Sequence, residues 1–177
     1  MTRKKKFWFT VIAAAMAFIL VEVGLRLVPI SGPPHTREDE FRARLSLSLY
    51  KDKEWAQPYY DELGETTAVF DPLIGWRVEE YRGRYSNFDD QGRRKTWNPT
   101  SSLAMTKTIF MFGGSSLMGA GVPDDYTIPS YISRMINAES EDVSYVVHNY
   151  GQAGYVAVQE IEKLNLLLEM GERPDYF

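Results

Sequence analysis

The sequence predicts an α/β fold in which strand–loop–helix units build a parallel sheet. Three observations point there. The apolar, β-prone run Ile109, Phe110, Met111, Phe112 stops abruptly at Gly113-Gly114-Ser115-Ser116, as a buried strand does when it feeds a tight turn. A second such run, 143–148, ends in Asn149-Tyr150-Gly151-Gln152-Ala153-Gly154. A helical apolar period then begins near Val156. Open α/β sheets gather ligands at the carboxyl ends of their strands, so this pattern sets Ser115 and Gly154 on one rim.

Bulk properties narrow the function classes. The 177 residues suffice for one ordinary domain plus extras, and 44% hydrophobic with 25% charged residues is a globular composition. A net charge of −4 gives no nucleic-acid signature. The absence of cysteine removes disulfides, thiolate metal sites and cysteine nucleophiles, and leaves the redox compartment undetermined. With only His35 and His148, a histidine-rich metal site is not expected, and no cofactor is expected either.

In chain order, Thr2-Arg3-Lys4-Lys5-Lys6 precedes an apolar stretch, 7–28, long enough to cross a bilayer as a helix. Glu22 and Arg26 interrupt it four residues apart, where they can pair on one helical face. The basic cluster predicts a cytoplasmic N-terminus, with the main domain periplasmic or extracellular. A cleaved signal peptide is the competing reading, but no small-x-small site follows the apolar core; a buried soluble helix is the third. Segment 1–30 is thus read as basic tip and transmembrane anchor.

Ser31-Gly32-Pro33-Pro34 breaks any helix. Segment 31–68 is polar and mixed in charge, and reads as a linker or peripheral layer with a helix within 37–53; His35 reads as a solvated linker residue. Segment 69–100 reads as a small β extension, from the Asp71-Pro72 turn through Gly75-Trp76 to the charged run Asp89-Asp90-Gln91-Gly92-Arg93-Arg94-Lys95. Its Arg/Lys part, 93–95, has two readings, an anion contact or a solvated loop, and the loop is preferred. Asn98-Pro99-Thr100-Ser101-Ser102 marks the boundary to the core, 101–177. In the core, a helix is expected over 127–137 with Pro129 in its first turn and an apolar face of Ile128, Tyr131, Ile132, Met135 and Ile136. A second helix carries Val158, Ile161, Leu164, Leu167 and Leu168, and Gly171 ends it. Residues 173–177 lead towards a third strand.

The Gly-Gly-Ser turn admits more than one chemistry. Gly114 to Gly119 has phosphate-loop spacing, but Ala120 and Gly121 stand where Lys and Ser/Thr are needed, so the phosphate clamp is missing. Gly-x-Gly-x-x-Gly fails at Asp124. A serine on a sharp turn after a buried strand suits a nucleophile, whose own N–H can help hold an oxyanion. The Gly-x-Ser-x-Gly elbow fails at Leu117. Ser116 is an alternative nucleophile, and a plain strand–helix connection is the non-catalytic alternative.

Phe112-Gly113-Gly114-Ser115 with Asn149 to Gly154 resembles the SGNH (GDSL-type) hydrolase family, in its membrane-anchored bacterial form with Gly-Gly-Ser for Gly-Asp-Ser; the likeness covers 70–177 and includes Asp71-Pro72…Gly75-Trp76. The resemblance implies a three-layer, flavodoxin-like α/β sandwich. It implies Ser115 as nucleophile, with the N–H groups of Ser115 and Gly154 as the oxyanion hole and Gly151 as the less favoured glycine. It implies an esterase or acyltransferase acting on acyl esters of envelope glycans or lipids, without metal or cofactor. The family's Gly-x-Asn-Asp and Asp-x-x-His do not occur in the 177 residues, so the expectation is the N-terminal half of a hydrolase domain, inactive alone. Serine chemistry needs a base, and His148 is the only histidine near the rim; as part of a strand it reads as structural. A non-catalytic envelope interaction or assembly protein with the same fold is the alternative of another class.

Overall fold

The computed structural model describes residues 2–27, 36–100 and 105–177. The Ser31–Pro34 helix break, His35 and the Ser101-Ser102 end of the domain boundary lie outside the described residues. The protein is mixed α/β and divides into two compact units, Met1–Glu40 and Phe41–Phe177.

The first unit contains helix α1 (Arg3–Leu27). At about 1.5 Å per residue it is roughly 37 Å long, enough for a hydrocarbon layer of roughly 30 Å. It is apolar on every side, and its mean hydropathy of 2.1 over the spanning window comes with no burial against protein. A helix that is apolar all round is a buried or membrane-spanning helix. Arg26 Nε donates to Glu22 Oε1 at 2.9 Å, so the interrupting charges do pair one turn apart.

The second unit begins with α2 (Arg37–Leu45), which starts in the first unit, followed by α3 (Ser48–Lys51) and α4 (Ala56–Glu65). The sequence placed α4 in a peripheral segment, yet Ala56, Tyr59 and Tyr60 are among the most buried residues. Tyr59 explains this. Its hydroxyl accepts from Gly121 N at 2.8 Å and donates to Gly119 O at 3.3 Å. One aromatic side chain thus ties α4 to the loop beyond the Gly-Gly-Ser turn, with no periodic stripe to announce it.

Two short antiparallel pairs follow, β1 (Ala68–Asp71) with β2 (Gly75–Val78), and β3 (Tyr81–Arg82) with β4 (Asn87–Phe88). The central pair is parallel: β5 (Met105–Met111) lies beside β6 (Val143–Asn149), in register from Met105↔Val143 to Met111↔Asn149. Arg94 bridges Phe88 on one side and Asn149 on the other, and Tyr176 bridges Ile109 in parallel on the far side of β5. The spatial order is therefore β4, Arg94, β6, β5, Tyr176.

Between β5 and β6 run α5 (Ser115–Met118), a 3-10 turn at Asp124–Tyr126, and α6 (Ile128–Glu139); α7 (Ala157–Glu169) follows β6. Thr127 caps α6 by accepting from Ser130 N, and Pro129 sits in its first turn. Gly171 ends α7 at φ +92°, with Gly171 N donating to Leu168 O and Glu172 N to Leu167 O, a Schellman closure. Leu167 packs on Phe110, Tyr150 and Phe112.

Two apolar helix faces come out differently from the sequence reading. On α6 the buried residues are Pro129, Ser130 and Ser133, while Ile128, Tyr131 and Met135 are exposed. The seryl groups turn inward because they have partners: Trp97 N donates to Ser130 Oγ and Ser133 Oγ donates to Asn98 Oδ1. On α7, Val158 and Ile161 are exposed while Lys163 is buried.

The outer edge of β6 is occupied by side chains. Ser140 Oγ accepts from Val143 N and donates to Val143 O. The Asn137 amide bonds both backbone groups of Tyr145, and the Asn98 amide both of Val147. Arg94 N donates to Asn149 O.

Candidate functional site

Two loops meet at the carboxyl end of the parallel pair. Gln152 N donates to Gly113 O at 2.9 Å, and Tyr150 N to Met111 O at 2.9 Å, so the chain after β6 continues along the chain after β5. A Cβ on Gly114 would lie 3.5 Å from Tyr155 O. Ser115 opens α5, with Gly114 as its N-cap in extended backbone. Ser115 and Ser116 are both exposed. Among the described residues, no side chain hydrogen-bonds Ser115 Oγ.

The two glycines of the second loop differ in kind. Gly151 is buried, and a Cβ there would collide with Met118 N and Cα. Its N–H is already donated to Asn149 Oδ1 at 2.9 Å. Gly154 is exposed, at φ +79°, where an L side chain is strained. Its neighbour Ala153 accepts from Trp76 Nε1 at 3.1 Å, and the Trp76 ring would lie 3.3 Å from a Cβ on Gly154. Of the two, Gly154 is the one whose N–H has no partner among the described residues.

Asn149 organises the floor of this rim. Its Nδ2 donates to Leu117 O at 3.1 Å, while its Oδ1 takes the Gly151 N–H. Arg94 holds the other end of α5. Its NH1 donates to Met118 O and Gly119 O at 2.9 and 2.7 Å, its NH2 to Val122 O at 2.8 Å and Ser86 Oγ at 3.3 Å, and its Nε to Asp124 Oδ1 at 2.9 Å. The chain matches no family model and no curated protein sequence.

The expectation of a solvated loop at Arg93–Lys95 is overturned for two of its three residues. Arg94 is 1% exposed, and a guanidinium so buried must have its donors bonded. Burial pushes the Asp124 carboxyl above its usual range, against the pull of Arg94 and the bonds from Asn87. Arg93 is half-buried and pairs with Asp89 at 2.8 Å.

His148 is engaged by partners other than Ser115. Its ring packs on Phe110 with centroids 5.5 Å apart, and Arg93 NH1 lies 2.9 Å from its Nδ1. A guanidinium only donates, so Nδ1 accepts and the neutral ring carries its proton on Nε2. Burial, then the Arg93 charge, lowers its pKa from 6.5 to about 4. A cavity of about 290 Å³ beside it is lined by Arg82, Asp89, Arg93, Lys95 and Thr96, among others, and not by Ser115. Among the described residues, no group of three His, Cys, Asp or Glu converges to hold a metal ion.

Sequence reasoning reached Ser115 and Gly154 through glycine punctuation. It missed Arg94, Asp124 and Asn149. Asn149 stood in a quoted motif but carried no signal of its own, and an arginine inside a charged run gives none for burial.

Proposed function

We propose that this chain is the membrane-anchored, N-terminal part of an SGNH-type serine esterase or acyltransferase, with Ser115 as nucleophile and the N–H groups of Ser115 and Gly154 as oxyanion donors. The observation that carries the reading is the rim itself. An exposed, unbonded serine starts a helix at the end of a parallel strand, and the neighbouring loop, fixed by Gln152 N to Gly113 O, presents a glycine at φ +79°. The order β6, β5, Tyr176 supports a flavodoxin-like sheet, which begins 2-1-3. In the reaction Ser115 Oγ attacks an acyl ester carbonyl, the oxyanion takes the two N–H bonds, and the leaving alcohol departs with a proton as the acyl-serine forms. Acyl groups on envelope glycans or lipids are the substrates. α1 anchors the protein with its N-terminus in the cytoplasm and the Phe41–Phe177 unit across the membrane. His148 is not the base in this reading, since its Nδ1 accepts from Arg93.

That same bond favours a second reading, a non-catalytic envelope assembly protein, because it takes His148 away from Ser115 and, among the described residues, no side chain hydrogen-bonds Ser115 Oγ. A fluorophosphonate probe applied to the natural, membrane-bound gene product separates the two. The catalytic reading expects adduct mass on the Ser115 peptide, lost in Ser115→Ala and kept in Ser116→Ala and His148→Gln. Absence of the adduct on Ser115 in the natural protein overturns it and leaves the assembly role.

A further inference from the structure

The β1–β2 hairpin turns its polar groups inward and its apolar ones out. Phe70 and Trp76 are direct cross-strand partners, so they share a face. Phe70 is 81% exposed, Leu73 at the tip 64% and Trp76 41%, and Ala68 and Pro72 beside them are exposed too. Several polar groups beside these side chains are engaged within the protein. Asp71 Oδ1 accepts from Leu73 N and Ile74 N. The Trp76 indole N–H goes to Ala153 O, Trp76 O accepts from Tyr155 Oη, and Ile74 O accepts from Gln159 Nε2. The same Gln159 side chain accepts from Val156 N, which brings a further exposed valine beside the tip. Ile74, fully buried, pins the hairpin from below.

The result is a braced apolar protrusion whose three large side chains, Phe70, Leu73 and Trp76, offer no free donor or acceptor. Such a surface suits neither a sugar ring, which needs flanking polar groups, nor water. Trp, Phe and Leu on a protrusion are the residues that seat at a membrane interface. Covalent length also limits how far the chain at Arg37 can lie from the end of α1. Nine residues separate Leu27 of α1 from Arg37 of α2, a stretch that spans at most about 35 Å when extended.

We propose that the β1–β2 hairpin is a second membrane contact, with Phe70, Leu73 and Trp76 seated in the interface of the bilayer that α1 spans. This rests on reading α1 as an anchor. Because Trp76 holds the hairpin against the loop of Gly154, a seated hairpin brings that loop to the lipid surface and favours lipid-borne acyl esters as substrates.

The chain has no cysteine, so single cysteines can carry a polarity-sensitive fluorophore without background. The full chain is reconstituted in vesicles of phosphatidylethanolamine and phosphatidylglycerol, labelled in turn at Leu73→Cys, at Ile12→Cys in α1, and at Glu141→Cys, an exposed position before β6. Quenching by nitroxide-bearing lipid is compared with quenching by aqueous iodide. The proposal expects position 73 to follow position 12, with blue-shifted emission, loss to nitroxide lipid and protection from iodide, while position 141 does the reverse. A label at 73 as open to iodide as the one at 141, with 12 in lipid, overturns the hairpin contact and leaves the anchor standing. Protection from iodide at 73 without nitroxide quenching means a protein cover, such as a second copy, and also overturns it. A label at 12 that stays in water overturns the anchor and this proposal together.

Discussion

The Ser115 rim and the Arg94 knot sit at the two ends of the same short helix, α5. At its start, Ser115 is exposed and its hydroxyl has no side-chain partner among the described residues. At its end, Arg94 is buried and bonds the carbonyls of Met118 and Gly119, together with Asp124, Ser86 and Val122. The open end has the features of a reactive group and the closed end those of its support. A four-residue helix has little stability of its own, so the geometry at Ser115 depends on the bonds made at the other end.

The sharpest way to break this contrast is Arg94→Met. It leaves the Asp124 carboxylate without its cation in a dry site and takes a donor from four other acceptors. Breaking one side of a buried ion pair costs about 3–5 kcal/mol, so urea melts of the full chain in detergent should show a loss of that size, and Arg94→Lys should recover only part of it. A loss under about 1 kcal/mol would mean that the knot is not what holds α5.

Gly151→Ala comes next. Its methyl meets Met118 N and Cα, backbone that cannot swing aside. Overpacking of this kind costs about 1–3 kcal/mol. The same change at the exposed Gly154 meets only the Trp76 ring and the strain of a positive φ, about 1 kcal/mol. Equal losses at the two glycines would erase the distinction between the packing glycine and the open one.

A third test uses pH. Between pH 6.5 and about 4 the unfolded chain protonates His148 while the folded chain does not, so the unfolded state binds more protons and stability falls as pH falls through that window. The full shift, discounted for the ring's partial exposure, is worth about 2 kcal/mol. The difference between wild type and His148→Gln should be constant above pH 6.5, shrink as pH falls and level off below about 4. A difference independent of pH would mean a ring that takes up its proton as readily in the folded chain as in the unfolded one, and would count against the Arg93 bond. The smallest effect is expected at Ser115→Ala: as an exposed, unbonded hydroxyl it should change stability by less than about 0.5 kcal/mol while abolishing probe labelling.

This contrast also marks what the sequence made legible. The strand run to Phe112, the glycines after it and the second loop were readable because turn chemistry is local: Gly154 and Gly171 sit at positive φ where the pattern needed them. The single apolar stretch of α1 was readable because its composition is one-sided. Arg94 was not readable, since an arginine is buried only when other residues supply acceptors, and Asp124 and Val122 are far from it in the chain. For the same reason α6 misled. Its apolar stripe Ile128, Tyr131, Met135 looked like a core face, but Ser130 and Ser133 had partners waiting on Trp97 and Asn98, and hydrogen bonding set the helix's rotation. Tyr59 buried α4 by two bonds to one loop, which no periodicity could register.

The amides of Asn98 and Asn137, with Ser140 and Arg94, have a consequence beyond this fold's own stability. An open strand is a template on which other chains can polymerise. Along β6 the outward N–H and C=O groups of Val143, Tyr145 and Val147 are already spoken for by side chains, and Asn149 O by Arg94. Between Val143 and Val147 another strand therefore finds no open groups on β6, and stacking of copies along that stretch is blocked by three short side chains, with one backbone N–H closing it at Asn149.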